Sequence, residues 1–199
     1  VDAYVLGVIL GDGCIPPRRG GGIGGPVITS ADDEILSEVA RRIPPDHRLS
    51  ERRCDSRARN VRIGGPRNVG SGKNAIINGL DELGLLGMLS HTKFVPEVCL
   101  TASVEDRIWL LRGLMDTDGY VSEAGQVRFT TVSTHLRDGV AELVRGLGGC
   151  ASVSSRTATW YTHPQTGKRV DYHCVSWLLT LSMPDDLNPF YLSRKAARV

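Results

Sequence analysis

Apolar residues fill positions 4–10 and recur nearly all round positions 108–115, where Ile108, Trp109, Leu110, Leu111, Leu114 and Met115 leave little polar face. A helix that is apolar on most sides is buried on most sides. Each segment ends in an acid and a glycine: "YVLGVILGDGCI" at 4–15 and "LLRGLMDTDGYV" at 110–121. Behind each comes a short alternating run and then an amphipathic stretch, at 26–43 and 126–149, which predicts a strand followed by a helix. Arginine-rich, strand-like sequence follows in both copies. In the second it predicts a hairpin turning near residues 163–167. Ser103 is expected to cap the second apolar helix, with Glu105 and Asp106 in its first turn. The chain reads as starting inside the first apolar helix, as a piece excised from a longer protein would.

The plan is a duplication. Aligned on Asp12 and Asp118, Gly7 falls on Gly113, Gly11 on Thr117 and Gly13 on Gly119. The copies close with "MLSHTKFV" and "YLSRKAAR", which place Lys93 and Lys195 at corresponding points. A period of about 105 residues is too long for a solenoid repeat. It predicts two similar halves, 1–100 and 101–199, related by a pseudo-twofold axis. Glycine inside a helix costs about 1 kcal/mol against alanine. That cost makes sense if the small residues form a flat stripe on which the two apolar helices pack.

The helix ends would then meet, bringing Asp12 and Asp118 together, each before a glycine suited to a left-handed C-terminal position. Two carboxylates and two negative helix ends, with free carbonyls, call for a hard cation such as Mg²⁺. The carbonyls of Gly11 and Thr117 are candidate additional ligands. Asp116 aligns with the uncharged Leu10 and reads as structural or as a support behind the metal ligands.

Composition adds constraints. A hydrophobic fraction of 41% is that of an ordinary globular protein. The longest apolar run falls well short of the roughly 20 residues that span a bilayer, so no membrane partner is expected. The five cysteines form no CxxC pair, which predicts buried free thiols in a reducing cytoplasm rather than disulfides or zinc. Net charge is +2, yet from Arg48 to Lys73 only Glu51 and Asp55 offset the basic residues. Such a stretch is either a polyanion-binding face or a solvated strand pair. "GSGK" at 70–73 lacks the full phosphate-loop pattern, with Asn74 in the Ser/Thr place, so nucleotide binding is not expected. "RRGGGIGG" at 18–25 reads as a hairpin tip.

The two apolar segments resemble the paired LAGLIDADG motifs of homing endonucleases. "LSHTKFVP" followed by "SVEDRIWLLRGLMDTDG", and then "TTVSTHLRDGVAELVRGLG", is similar to the block order of intein endonuclease domains. The resemblance implies a mixed α+β protein: a duplicated αββαββα fold with two antiparallel saddle sheets on a central two-helix interface. It implies metal-dependent cutting of double-stranded DNA at a long site by a monomer with no obligate protein partner, in the cytoplasm at the nucleoid. Mg²⁺ is the expected cofactor, with Mn²⁺ or Ca²⁺ able to replace it in binding. Asp12 and Asp118 would hold metal between the scissile phosphates, and Lys93 and Lys195 would be the basic partners.

DNA contacts are expected from Arg18, Arg19, Arg52, Arg53, Arg57, Arg59 and Arg62 in the first half, and from Arg128, Arg156, Lys168 and Arg169 in the second. Arginine can grip guanine in a bidentate manner. Splicing is not expected, because the chain opens with Val1 and ends in Arg198 and Val199. Two alternatives share the scaffold: an RNA-binding maturase and a DNA-binding regulator.

Overall fold

The computed structural model describes residues 1–17, 25–52, 58–66, 74–163 and 166–199. At its centre α1 (Ala3–Leu10) and α5 (Val104–Asp118) lie side by side and point the same way. Gly7 and Gly113 face each other: a Cβ added to either would come within 2.9 Å of the other's Cα and would overlap a facing carbonyl oxygen. Backbone therefore touches backbone, which is what the glycine stripe provides. Residues 4–10 are all buried, as their continuous apolarity requires.

Asp2 caps α1, accepting from the amides of Tyr4 at 2.9 Å and Val5 at 3.2 Å, so the helix begins within the chain and not before its first residue. Ser103 caps α5 as expected, accepting from the Asp106 amide at 3.1 Å.

Two antiparallel sheets flank this pair. The first contains β1 (Gly13–Cys14), β2 (Val27–Ser30), β3 (Arg48–Arg52) and β4 (Arg59–Gly64), in the order β1-β2-β4-β3. The second contains β5 (Gly119–Val121), β6 (Val127–Thr131), β7 (Cys150–Thr162) and β8 (Arg169–Ser182), in the order β5-β6-β8-β7. The order is the same in both. On one face Ile28, Val61, Ile63, Phe129, Leu179 and Leu181 are buried; α2 (Asp33–Arg42) and α6 (Thr134–Gly146) pack into the same core through Ile35, Val39, Leu136 and Val140. The alternating residues of each strand point to the opposite, open face. The helices α3 (Ala75–Glu82), α4 (Glu97–Leu100) and α7 (Ser193–Ala196) complete the described elements. None of the described helices is long and apolar enough to cross a membrane.

The second-half hairpin turns where the sequence places it, with the Gly167 amide donating to His163 O at 2.9 Å and Gly167 at φ 65°. Two expectations change. Gly119 is extended, at φ −82° and ψ 152°, and begins β5 instead of adopting a left-handed turn; Gly13 begins β1. Glycine is needed at both for space, because a Cβ would collide with the helix behind it, at Ile9 for Gly13 and Met115 for Gly119. Cys14, Cys99, Cys150 and Cys174 are unpaired as expected, but none is buried, Cys14 because it alternates outward from the buried Gly13. Cys54 and the segment 70–73 lie outside the described residues.

Candidate active site

The small-residue stripe delivers the two acids to one place. A Cβ on Gly11 would meet Thr117 and would sit 3.5 Å from Asp118 Oδ2, so Asp118 reaches across to the end of α1, where Asp12 follows. Asp12, Asp118 and Lys93 line one groove of about 550 Å³ between the sheets, together with Thr29 from the first and Thr130 from the second. Neither carboxylate accepts a hydrogen bond from any described residue. Burial pushes Asp118 up to about 6, and the negative charge of Asp12 adds to the rise while Lys93 and Lys195 oppose it. Burial also raises Asp12, against the pull of the same lysines. Two facing acids without protein donors resist joint ionisation.

These oxygens fit a small divalent cation, which takes one or two carboxylates and completes its shell with water and substrate phosphate. Among the described residues no group of three or more His, Cys, Asp or Glu side chains is arranged as a metal cage, so any ion there rests on this pair.

Two lysines take up carbonyls at the helix ends, that of Gly11 among them and that of Thr117 not. Lys93 Nζ donates to Ile9 O at 3.1 Å, Gly11 O at 2.8 Å and Gly13 O at 2.7 Å. Lys195 Nζ donates to Met115 O at 3.0 Å, Asp116 O at 2.6 Å and Gly119 O at 2.7 Å. Each buried ammonium uses its three donors on the negative end of one motif helix, the place where a cation is favoured. The Gly11 carbonyl expected as a metal ligand is therefore already engaged by Lys93. The Thr117 hydroxyl turns back onto Gly113 O at 3.0 Å and Leu114 O at 2.9 Å. Burial lowers the pKa of both lysines, opposed mainly by Asp118 for Lys93 and by Asp116 for Lys195.

The basic residues divide by strand register, since paired residues on an antiparallel ladder share a face. Arg62 pairs with Val27 and Ser50, opposite in alternation to the buried Val61 and Ile63, and so lies on the open face. Arg128 pairs with Tyr120 and Thr180, and Arg156 with Ser176, on the open face of the second sheet. Both Arg62 and Arg128 leave a buried Nε without a partner among the described residues. Arg59 alternates to the helix side, where it is ion-paired with Asp33.

Arg169 is held by Asp171 at 2.7 Å and stacks 5.1 Å over Trp160; Lys168 is exposed in the turn. Arg52 pairs with Asn60 in the ladder, but its side chain is outside the described set. Arg18, Arg19, Arg53 and Arg57 lie outside the described residues. The ladders also place on the open faces Arg48, which the basic stretch includes but the individual DNA-contact candidates do not, and Thr29, Asn60, Ser152, Ser154 and Thr180, which composition does not single out. Strict alternation along β2, β3, β4, β7 and β8 carries that signal.

Residues 105–173 match the LAGLIDADG-like domain family. The chain is 28% identical over 196 residues to the replicative DNA helicase DnaB of Mycobacterium intracellulare, covering 98% of this chain and 26% of that protein. It is 34% identical over 76 residues to the homothallic switching endonuclease of Saccharomyces cerevisiae, covering 35% of this chain and 13% of that protein. The chain thus spans about a quarter or less of these relatives. A crystal structure of I-DmoI in complex with DNA and calcium superposes with a TM-score of 0.60 at 14% identity, over 98% of this chain and 94% of that one. I-DmoI is a homing endonuclease. It has also been solved with DNA and manganese, at TM-score 0.53 and 13% identity over 91% of this chain and 88% of that one.

Proposed function

We propose, for a chain that carries a LAGLIDADG-like domain on the fold of the LAGLIDADG homing endonucleases, site-specific cutting of both strands of DNA by metal-dependent hydrolysis. The observation that carries this reading is the pair Asp12 and Asp118 at two meeting helix ends, with no donor to either carboxylate among the described residues and an open groove above them. A divalent cation bound there would polarise a phosphate oxygen and acidify an attacking water. Mg²⁺ is the proposed ion.

The protein's own residues do the rest. Asp12 and Asp118 supply the hard oxygen ligands. Lys93 and Lys195 neutralise the helix ends and so keep a ring of carbonyl oxygens from repelling a phosphate. Arg62, Arg128 and Arg156 present guanidiniums on the open sheet faces, where they would meet bases or phosphates of a duplex. Residues 1–100 and 101–199 form the two halves of one monomeric enzyme on this reading. A match along 98% of this chain to 26% of a replicative helicase supports an endonuclease domain carried inside a host protein, as in an intein.

The test is a cleavage selection from a randomised DNA library with purified protein and Mg²⁺. Recovery of one long site, with Asp12→Asn and Asp118→Asn each abolishing cutting while gel-shift binding persists, is the expected result. No cutting in Mg²⁺ or Mn²⁺ together with strong RNA binding overturns the reading in favour of a maturase; DNA binding without cutting favours a regulator.

A further inference from the structure

The two lysine segments are anchored by different chemistry, and each makes contacts with the opposite half. Lys93 O accepts from Ser133 Oγ, the cap of α6, at 2.6 Å. The preceding turn is closed by Thr92 Oγ1, which accepts from the Leu89 amide at 2.9 Å. Among the described residues no carboxylate hydrogen-bonds to residues 89–93.

The Lys195 segment hangs on three carboxylates. Asp116 Oδ1 accepts from the amides of Tyr191 at 3.1 Å and Leu192 at 3.0 Å. Glu34 Oε1 accepts from the Ser193 amide at 3.0 Å and its hydroxyl at 2.6 Å. Asp32, at the cap position of α2, holds Arg194 at 3.0 and 2.9 Å. Asn188 Nδ2 adds one bond to Ala196 O at 3.0 Å.

We propose that Asp116, Glu34 and Asp32 are positioning residues for Lys195, and that they set the cutting of one DNA strand separately from the other. A helix of four residues such as α7 cannot fix its own place, because helix formation has a costly nucleus. Its anchors place it, and these carboxylates come from α5 and from the α2 end of the first half. Displacement of a reacting or charge-stabilising group by about 1 Å can cost roughly a hundredfold in rate. The Lys93 segment shares none of these anchors, so the loss falls on one strand. Asp116 is the strongest of the three, being 2% exposed and also accepting from Tyr4 Oη at 2.8 Å. The exposed Asp32–Arg194 pair is the weakest.

The inference rests on the nuclease reading. Its test is single-turnover cutting, in Mg²⁺, of a duplex that carries a site recovered by the selection and a different dye on each strand. Glu34→Ala, on the half-exposed N-terminal turn of α2, is expected to slow one strand about tenfold with the other within about twofold, so that nicked duplex accumulates. Glu34→Gln, which keeps an acceptor oxygen, restores the rate. Asp116→Leu, the residue found at the matching Leu10, slows the same strand further. Amide exchange rises at residues 191–196 and not at 89–95 in the Glu34→Ala protein. Equal slowing of both strands, or no change in either, overturns the proposal alone; a wild-type protein that cuts neither strand overturns the nuclease reading and this inference with it.

Discussion

Lys93 sits on the carbonyls of Ile9, Gly11 and Gly13, and Lys195 on those of Met115, Asp116 and Gly119; aligned on the two aspartates, Ile9 matches Met115 and Gly13 matches Gly119. Gly7 packs on Gly113 with the same exactness, and both sheets share one strand order. Away from this axis the halves diverge. The β7 and β8 strands run 13 and 14 residues, against 5 and 6 for β3 and β4. Where α2 has Glu38 and Arg42, the corresponding positions of α6 hold Gly139 and the buried Leu143. Gly139 makes room there for Val95, whose side chain would overlap a Cβ. Whatever sets the distance between the two acids is kept in duplicate; whatever merely supports it is solved twice, by charge in one half and by apolar packing in the other.

The sharpest way to break the comparison is to add atoms where the halves touch. Gly113→Val would drive methyls into the backbone at Tyr4, Gly7 and Val8, with no flexible side chain to yield. A loss of about 3 kcal/mol or more is expected, read as a collapse of the thermal midpoint. Gly11→Ala at the end of the same stripe meets Thr117, whose hydroxyl can turn away but whose Cβ, 2.8 Å off, cannot, and should cost stability too, though less than valine against backbone at Gly113. A Gly113→Val protein that melts with the wild type would show that the two halves do not pack as closely as described.

Next in size are the lysines. Lys93→Met and Lys195→Met keep an unbranched side chain one atom shorter but leave three carbonyls each without their donor. Each should cost about 2–4 kcal/mol in urea unfolding. The matched geometry predicts nearly equal losses. A large loss for one and none for the other would make the equivalence superficial.

The duplicated features were readable from the chain because duplication states each signal twice. One acid at a helix end is ambiguous; two, Asp12 and Asp118, each on a glycine-striped apolar helix, point to a meeting of helix ends, and the structure brings them into one groove. Readable too were the Ser103 cap and the hairpin turn, since both are local. What escaped depended on approach in space. Lys93 and Lys195 were found by position, but nothing along the chain says that their ammonium groups close onto carbonyls 80 or so residues away. Gly13 and Gly119 were expected for a backbone angle and are required for room. Asp116 reads along the chain as structural or as a support behind the ligands, yet its partners at Tyr191 and Leu192 lie 75 and 76 residues on. Composition groups Arg59 with the arginines expected to contact DNA, although strand alternation puts it with Val61 and Ile63.

The smallest effect concerns the charged solution in the first half. Glu38 is buried to 3% exposure and accepts from Arg41 at 2.9 and 2.6 Å and from Arg42 at 2.5 Å. Arg42 in turn stacks 3.7 Å over Trp109 and pairs with Asp2, so α2 is tied to both central helices. Hydrogen bonds from Arg41, and then from Arg42, hold Glu38 down at about 2. A folded-state value below the unfolded one means that the unfolded chain takes up the proton first. The stabilisation is therefore complete above the ordinary glutamate range and is lost as pH falls toward about 2. Glu38→Gln should cost about 1–3 kcal/mol at neutral pH and flatten the acid limb of a stability-versus-pH curve. Gly139, at the matching place in α6, has nothing to titrate. Acid should accordingly loosen α2 before α6, seen as earlier amide exchange in residues 33–42 than in 134–146 as the pH is lowered. Simultaneous loosening, or an unchanged acid limb in the Glu38→Gln protein, would mean that the first half does not depend on this charge cluster.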